Sequence, residues 1–497
     1  MKRVLIALAA ALVSAVLLHV GTGPHPVAWL TWLATLPVLL AAPRVGGGSA
    51  FAAGALAWLG GQLQWWPYFT GTLETPVPVA AGLLAGPALL YGLGVLLHRS
   101  LLARRRTLSA VLAVPASWVG VEYLMALAGP HGAWWSLAYT QADVLPVLQT
   151  ASVAGVWGIT FLLLLVPAAV AALLAPGATR RLPVAVTAGA MAALALAYGF
   201  ARLGTGQDGG QHRAVALIST DNPDDTVALD SPQGRDLLRR YRQAVDAAAA
   251  RGAEIALLPE KTFDAATARL PLARPGVAVV AGVALGAGAT RTNSALAYPS
   301  GARYDKHHMI PGLESEFTPG RTLTLLGPTT TGLIVCKDLD FPWLVRQYRQ
   351  AGATTLLAPA WDFDDDAWLH SRMAIVRGVE SGLSVARAAR QGLLTVSDTR
   401  GRVLAEGRSG RPGVTTVFAA LPQQGASTLY AALGDWAAWC SVATLLLALA
   451  GLRNGRPAAR TAGPPTGGPA PGAPARSTLR RSASGHRHPT APRTTAG

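Results

Sequence analysis

Three residues that can act together in covalent catalysis each follow an apolar stretch of this chain. Glu260 closes "EIALLPE", Lys306 follows "SGARY", and Cys336 closes "TTGLIVC". A desolvated carboxylate can act as a general base, and a thiol becomes a nucleophile once its proton is removed. A lysine beside a thiol favours the thiolate and stabilises a developing oxyanion. These types favour nucleophilic catalysis if the fold brings them together.

Each of the three also has an ordinary structural interpretation. An acid at the end of a strand often caps a helix, a single lysine is usually a solvated charge, and a cysteine after an apolar run is usually a buried hydrophobe. The chain has two cysteines, which cannot build a disulfide framework. The second, Cys440, lies within a long apolar segment, where we expect it to pack or face lipid without a chemical role.

The elements that would position the three residues are short strands alternating with helices between residues 205 and 427. This alternation predicts an α/β domain with a buried sheet, in which chemistry gathers at strand ends. The predicted strands cover 214–220, 254–260, 276–285, 293–299, 330–336 and 354–360, with a hairpin at 393–406. The predicted helices cover 231–251, 342–351 and 367–382.

The rest of the chain has the composition of a membrane protein. Of its 497 residues 51% are apolar and 14% charged, against roughly 25% charged in a soluble protein. Apolar stretches long enough to span a bilayer recur over the first 200 residues and once more near the end. They cover about 4–20, 26–42, 49–66, 77–97, 108–127, 152–174, 183–202 and 433–452. The first could be read as a signal peptide, but it is long and lacks a clear cleavage site.

Basic residues separate the two sides of the predicted membrane. Arginine or lysine precedes the first stretch and lies in every second loop, whereas the loops at 21–25, 67–76 and 128–150 contain neither. By the positive-inside rule both termini are cytoplasmic and residues 205–427 lie outside. The net charge of +16 is therefore mainly a topology signal. A basic nucleic-acid surface is the alternative, and we expect no nucleic-acid partner.

Four segments follow from this topology. Residues 1–204 form a membrane domain of about seven helices, 205–427 the α/β domain, and 428–452 a final helix. Residues 453–497 are rich in Pro, Gly, Ala and Arg, which predicts a disordered basic cytoplasmic tail.

Aromatic residues are concentrated at the predicted outer face of the membrane. An aromatic belt at the interface is the simpler interpretation, and the lining of a lipid entrance is the alternative. The residues are Trp65, Trp66, Tyr68, Trp134 and Trp135.

Taken together, Glu260, Lys306 and Cys336 resemble, in this order, the Glu-Lys-Cys triad of the nitrilase (carbon–nitrogen hydrolase) superfamily. "YDKHHMIPGLE" (304–314) resembles its lysine segment, in which a second glutamate, here Glu314, follows eight residues after the lysine. "CKDLDFP" (336–342) resembles its nucleophile turn. "DDAWLHSRMAIVRGVESG" (365–382) resembles the segment that carries an arginine and a glutamate on one helix.

The membrane segments narrow the resemblance to the apolipoprotein N-acyltransferase family. That family has seven helices, an extracytoplasmic nitrilase domain and a last helix. The segment at 117–165 is similar to its central membrane signature, and "TLYAALGDW" (428–436) to its entry into the last helix. The resemblance implies a polytopic α-helical bundle of about eight helices plus an extracytoplasmic α/β nitrilase-like domain, an αββα sandwich. It also implies the bacterial inner (cytoplasmic) membrane.

The implied activity moves a fatty acyl chain from phospholipid to the N-terminal diacylglyceryl-cysteine of apolipoproteins through a thioester on Cys336. Glu260 would be the base, while Lys306 and the backbone N–H of Lys337 would stabilise the oxyanion. Glu314, Lys337 and Asp338 are the supporting residues. The implied partners are a phospholipid acyl donor, a diacylated apolipoprotein acceptor and membrane lipid, and we expect a monomer.

No cofactor or metal is expected. The pair His307-His308 has no matching ligand cluster in the sequence, and His370 is interpreted as a polar helix residue.

Several positions depart from the family pattern around the predicted site. Leu258-Pro259-Glu260 stands where Trp-Pro-Glu is usual, and Cys336-Lys337-Asp338 stands where Cys-Tyr-Glu is usual. Residues 361–364 replace an Asn-Asp-x-Trp-Phe stretch. These changes leave the triad intact and motivate an alternative, a membrane-tethered amidase or acyltransferase with a different acceptor. A non-catalytic membrane scaffold is a third reading, which the intact triad disfavours.

Overall fold

The structure is a computed structural model that describes residues 1–205, 210–220, 226–327, 330–410 and 413–453. The predicted cytoplasmic tail, apart from its first residue, lies outside the described residues. We call residues 1–205 and 428–453 the membrane helices, and residues 210–427 the α/β domain.

All eight predicted apolar segments are helical. Five of the resulting helices are long and apolar enough to cross a membrane. The α-helices of the described residues are α1 (Lys2–Gly21), α2 (Ala28–Ala34), α3 (Leu36–Ala41), α4 (Gly47–Gln62), α5 (Val77–Ala103), α6 (Thr107–Ala128), α7 (Leu145–Leu148), α8 (Ala151–Leu173), α9 (Arg181–Gly204), α10 (Pro232–Ala250), α11 (Pro342–Gln350), α12 (Ala367–Ser381), α13 (Leu429–Leu433) and α14 (Trp436–Arg453). The five long helices are α1, α5, α6, α8 and α9.

The other three predicted segments form shorter helices. The segment at 26–42 is divided into α2 and α3, and Pro37 lies in the first turn of α3, where a proline is tolerated. Helix α4 has 16 residues, and α14 closes the described chain. Length therefore distinguishes these three from the five long helices.

Strands form where the apolar runs of the α/β domain predict them, and they assemble into two sheets. The seven-stranded sheet has the order β13-β1-β2-β4-β5-β6 with β3 beside β4, and the six-stranded sheet has the order β12-β11-β10-β9-β8-β7. The strands are β1 (His212–Thr220), β2 (Ile255–Leu257), β3 (Phe263–Ala265), β4 (Ala278–Leu285), β5 (Thr292–Tyr298), β6 (Arg303–Asp305), β7 (Thr324–Leu325), β8 (Thr331–Leu333), β9 (Thr355–Trp361), β10 (Ser384–Arg390), β11 (Leu393–Ser397), β12 (Val403–Arg408) and β13 (Val414–Pro422).

Side-chain alternation along the strands places the sheets face to face. On β1, Val215 and Leu217 pack between the two sheets, in a core that also contains Leu357 of the second sheet. Ala216 and Ile218, on the opposite face, pack in the core that α10 covers. Helices α11 and α12 cover the other sheet. The α/β domain is therefore an αββα sandwich. The predicted combination of apolar membrane helices with an α/β sandwich is confirmed.

The α/β domain and the membrane helices share one hydrophobic core. Met373 and Val376 of α12 belong to the same buried cluster as Val156 and Trp157 of α8. Burial of apolar area across this contact stabilises the junction by roughly 25 cal/mol per Å². The site described below is therefore held against the membrane helices by packing rather than by a flexible tether.

A break in α8 connects the two parts by a buried hydrogen bond. Gly155 has φ +65°, which interrupts the helix and frees the backbone N–H of Val156. That N–H donates to Glu380 Oε1 of α12 over 2.7 Å, and Glu380 also pairs with Arg377. The free N–H groups at a helix N-terminus favour a negative charge. The Glu380 carboxylate of the α/β domain therefore caps the part of α8 that begins at Val156.

Replacing Gly155 by alanine should weaken this junction. A Cβ there would lie 2.7 Å from the Tyr430 ring, and φ +65° strains any residue with a side chain. We expect Gly155→Ala to lower the melting temperature of the detergent-solubilised protein by several degrees, corresponding to about 1–3 kcal/mol. Gly82→Ala is the matched control, because a Cβ at Gly82 on α5 meets nothing within 4 Å. An unchanged melting temperature in Gly155→Ala would contradict the junction.

Candidate active site

The structure places the three predicted catalytic residues at strand ends of the two facing sheets. Glu260 follows β2 and donates its backbone N–H to the Ala360 carbonyl of β9 over 3.1 Å. Lys306 follows β6 directly. Cys336 begins the short turn after β8. Glu260 and Lys306 therefore come from one sheet and Cys336 from the other.

Two carboxylates hold the Lys306 ammonium. Lys306 Nζ donates to Glu260 Oε1 over 2.8 Å and to Glu314 Oε2 over 2.7 Å, and Lys306 is 0% exposed. Buried charges are tolerated only when they are paired and hydrogen-bonded in this way. The eight-residue spacing from Lys306 to Glu314 thus brings both side chains to one point.

Two further residues, which the sequence did not single out, complete this cluster. The Asn293 amide of β5 donates to Glu260 Oε1 over 2.6 Å and to Glu314 Oε1 over 2.9 Å. Lys261 Nζ donates to Glu314 Oε1 over 3.1 Å. The two glutamates are therefore matched by two ammonium groups. The position of Lys261 directly after Glu260 was the only available signal, and nothing in the sequence marked Asn293.

The thiol lies on a strained turn beside this cluster. Cys336 has φ +43°, a conformation that a residue with a side chain rarely adopts, and is 8% exposed. Its Sγ lies 3.6 Å from the carbonyl oxygen of Trp361 and can donate a weak hydrogen bond to it. Strained backbone of this kind is typical of functional turns.

The charges of the cluster are set by burial and by mutual pairing. Burial alone would lower the pKa of Lys306, but Glu260 and Glu314 outweigh it and hold that pKa well above its usual range. Burial would raise the pKa of Glu314, but Lys306 and Lys261 lower it to about 2. At neutral pH, Lys306 is therefore a fixed positive charge and Glu314 a fixed negative charge.

The thiol is neutral in the resting site. Burial and the Glu260 carboxylate raise the pKa of Cys336 well above its usual range, against the opposing charges of Lys306 and Arg387. A neutral thiol is a poor nucleophile. Attack therefore requires a base that removes the proton during the reaction, and Glu260 is the carboxylate whose charge acts most strongly on the thiol.

Asp338 connects the nucleophile turn to the lysine segment. Its carboxylate accepts hydrogen bonds from the backbone N–H of His307 and His308 and from the Tyr304 hydroxyl, the last over 2.7 Å. The His308 ring lies 2.9 Å from the same carboxylate. The predicted supporting residue Asp338 thus fixes the backbone beside Lys306. His307 and His308 themselves face Thr322 and Asp338, and among the residues that the structure describes they belong to no cluster of metal ligands.

The Lys337 side chain points toward the membrane helices. Its Nζ lies 3.1 Å from Asp340 Oδ2 and 3.4 Å from His131 Nδ1, on the segment after α6. The Ala133 backbone N–H of that segment donates to the Asp340 carbonyl over 2.8 Å. A segment of the membrane part therefore contacts the nucleophile turn directly.

The aromatic residues form a packed cluster between the parts. Trp65, Tyr68, Trp134 and Trp135 have ring centroids 5.5–6.4 Å from their neighbours. Trp65 is 1% exposed, and the Tyr68 hydroxyl donates to Asp366 of the α/β domain over 2.6 Å. The aromatic-belt interpretation is therefore wrong for Trp65 and Tyr68, because these rings pack against protein and face no lipid.

One group of side chains in the described residues has the composition of a metal site. Ligand atoms of Asp362, Asp366 and His370 all lie within 4.8 Å of one another. Arg387 already pairs with both oxygens of Asp362, and Tyr68 donates to Asp366. A cation would have to displace these donors, so the residues do not fit a metal. His370 lies on α12, as a polar helix residue would, and its ring faces Asp362 and Asp366.

Comparisons with known proteins find similarity over most of the chain. A sequence model described as the N-terminal domain of apolipoprotein N-acyltransferase matches residues 14–169. Apolipoprotein N-acyltransferases from Geobacter metallireducens and Gloeobacter violaceus are 28% and 27% identical to the chain. These matches cover 87% and 88% of this chain and 92% and 93% of theirs.

Over most of its length the chain is similar to apolipoprotein N-acyltransferases. The similarity runs through both the membrane helices and the α/β domain. Among solved structures, an amidase from Nesterenkonia sp. is similar at 24% identity and a TM-score of 0.35, covering 44% of this chain and 92% of that one.

Lys261→Met should slow acylation without preventing folding. The substitution removes one of the two ammonium groups on Glu314, and Lys261 also lies 4.8 Å from the Trp361 ring. We expect the rate of acyl loading to fall about tenfold, equivalent to about 1.4 kcal/mol. Lys261→Arg keeps the charge and should retain most of the rate. Single-turnover loading measured for both variants checks the prediction, and equal rates for Lys261→Met and wild type would contradict it.

Alkylation of Cys336 should report a raised pKa. Because burial and Glu260 favour the protonated thiol, the rate with iodoacetamide should increase only at a pH above the range in which an ordinary thiol ionises. The rate is measured against pH in a Cys440→Ala background, so that Cys336 is the only thiol. An increase already complete by pH 7 would mean a stable thiolate and would remove the need for a base.

Proposed function

We propose that this protein transfers a fatty acyl chain from a phospholipid to the N-terminal amine of a diacylglyceryl-cysteine lipoprotein, through a thioester on Cys336. The observation that carries the proposal is the Lys306 ammonium, fixed between Glu260 and Glu314 beside the thiol. The family match through the membrane helices supports a lipid substrate over a small amide.

In the first half-reaction, Glu260 accepts the proton of Cys336 as the sulfur attacks the ester carbonyl carbon. The C–S bond forms, and the negative charge moves to the carbonyl oxygen. Lys306 and the backbone N–H of Lys337 stabilise this oxyanion. The ester C–O bond then breaks, Glu260 returns the proton to the leaving oxygen, and lysophospholipid departs.

In the second half-reaction, the amine of the acceptor attacks the thioester carbonyl. Glu260 accepts a proton from the attacking nitrogen, the amide bond forms and the C–S bond breaks. The proton then returns to the sulfur, so the site is regenerated without a net change in charge. Glu314 keeps Lys306 and Asn293 in place through both steps.

The site favours transfer over hydrolysis because it is shielded from water. Cys336, Glu260 and Lys306 are buried, and the α/β domain packs on the membrane helices through a shared apolar core. A thioester in such a place is protected until an amine arrives. In the proposed reaction, the amine of a lipid-anchored acceptor therefore attacks the thioester in place of the water molecule that a hydrolase would use.

The membrane arrangement of this proposal follows the charge pattern of the loops. The chain is a membrane protein, and the proposed location is the bacterial inner membrane with the α/β domain on the extracytoplasmic side. Residues 1–204 and 428–452 would lie in the bilayer, 205–427 outside it and 453–497 in the cytoplasm, in a monomer. Phospholipid and acceptor would then approach from the outer leaflet.

A transfer assay distinguishes the proposal from its alternative. The purified protein is incubated with phospholipid labelled in one acyl chain and with a diacylated lipopeptide. We expect a labelled triacylated lipopeptide, and none with Cys336→Ala. Cys440→Ala is the matched control, because Cys440 is exposed on α14 away from the site, and it should keep full activity.

The opposite result is equally clear. If the wild-type protein fails to label the lipopeptide but hydrolyses small amides, the protein is a membrane-tethered amidase. The departures at Lys337 and Asp338 would then accompany that different activity. Full acyl transfer by Cys336→Ala would show that the reaction does not pass through a thioester on Cys336.

A further inference from the structure

A second charged network lies next to the nucleophile and is not used by the proposed chemistry. Asp362 pairs with Arg387 through both oxygens, one at 2.9 Å. His370 Nδ1 lies 3.5 Å from Asp362 and 3.2 Å from Asp366. Asp366 Oδ2 accepts from the Tyr68 hydroxyl over 2.6 Å. Five side chains thus form a continuous series of polar contacts.

The network is buried and electrically balanced. Asp362 and Asp366 are 0% exposed, Arg387 is 2% exposed and the His370 side chain 17%. Burial would lower the pKa of His370, but Asp366 and Asp362 raise it to about 10, so the ring carries a positive charge at neutral pH. Two negative groups are therefore matched by two positive groups. Loss of either cation would leave a buried negative charge without its partner.

One end of the network is adjacent to the thiol. Asp362 directly follows Trp361, whose carbonyl oxygen lies 3.6 Å from Cys336 Sγ. The backbone of Gly392 packs directly against the Asp362 carboxylate, because a Cβ added at Gly392 would lie 2.1 Å from Asp362 Oδ2. This close packing restricts the position of the carboxylate. Charges of both Asp362 and Arg387 act on the thiol, the first raising and the second lowering its pKa, together with Glu260 and Lys306.

The other end lies in the membrane part. Tyr68 belongs to the segment 63–73, which connects α4 to α5 and carries Trp65 and Phe69 of the aromatic cluster. Among the described membrane helices and their loops, the Tyr68 hydroxyl is the only polar side-chain group that contacts the network. The network residues are Asp362, Asp366, His370 and Arg387. Docking of this segment therefore completes the hydrogen bonding of Asp366.

We propose that Tyr68 and His370 are positioning residues that hold Asp362 and the Trp361 carbonyl against Cys336, so that the hydrogen bond from Tyr68 to Asp366, and not docking of segment 63–73 as a whole, aligns the nucleophile. This inference rests on the proposed role of Cys336. His370 joins the two aspartates and contacts Asp366 Oδ1, while the Tyr68 hydroxyl donates to Asp366 Oδ2 and offsets part of the same negative charge. Without the Tyr68 hydroxyl, His370 is drawn toward Asp366 and away from Asp362. Without the imidazolium, the charge beside the thiol becomes more negative.

The test uses variants that remove one group each in a Cys440→Ala background. Tyr68→Phe removes only the hydroxyl and keeps the ring in the aromatic cluster. His370→Gln removes the charge. Thr72→Val is the control, because it deletes a neighbouring exposed bond to Asp365 that lies outside the network. The readouts are the pH profile of Cys336 alkylation by iodoacetamide and the rate of acyl loading from phospholipid.

The alkylation profile of His370→Gln should shift upward by about one pH unit, or about tenfold in rate at a fixed pH below the midpoint. Tyr68→Phe should shift in the same direction by about threefold in rate, and Thr72→Val should match the parent. Acyl loading should slow in parallel at an unchanged half-saturating phospholipid concentration. In the double variant the effects should not add, since both act through Asp362.

Parental alkylation profiles in folded Tyr68→Phe and His370→Gln would overturn the inference, as would additive effects in the double variant. A stoichiometric metal that is lost in His370→Gln would also overturn it. Alkylation needs only the thiol and not acyl transfer, so it separates this inference from the proposed function. A shifted profile in a protein that transfers no acyl chain would refute the function and leave the positioning network intact.

Discussion

The buried ammonium of Lys306 is the charge on which the rest of the site depends. An unpaired lysine cannot be kept in a dry interior, so the structure surrounds it with Glu260 and Glu314 and joins these by Asn293. These contacts require the ends of β2 and β6 and the beginning of β5 to lie at one place. In the proposed mechanism this positive charge stabilises the oxyanion, and the thiol, which burial keeps neutral, attacks once a base removes its proton.

The membrane helices do more than anchor this site. Helix α8 begins its main segment on Glu380, the segment after α6 bonds to Asp340, and Tyr68 bonds to Asp366. Each contact reaches a different side of the α/β domain near the nucleophile turn. A nitrilase-like sandwich in water would expose these polar groups, whereas here the membrane part satisfies them. The same contacts therefore bury the candidate site against the membrane helices.

Much of this could be predicted from the sequence because the signals are local. Glu260, Lys306 and Cys336 could be identified because each follows an apolar run that predicts a strand. Glu314 could be identified because it follows Lys306 by eight residues, as in the family pattern. Asn293 could not be predicted, since an amide inside an apolar strand gives no sign of its partners. His370 looked like an ordinary helix residue because its two aspartates matter only after α12 packs beside β9. Trp65 and Tyr68 were assigned to the interface because apolar sequence alone cannot distinguish lipid from a protein surface.

Intact-protein mass spectrometry after brief exposure to phospholipid tests the covalent intermediate most directly. A single acyl chain should appear as added mass on the peptide that contains Cys336. It should be released by hydroxylamine, as a thioester is, and lost as lipopeptide is added. Protein that turns over lipopeptide while no mass is ever found on Cys336, or while the acyl chain is found on another residue, would contradict the thioester mechanism.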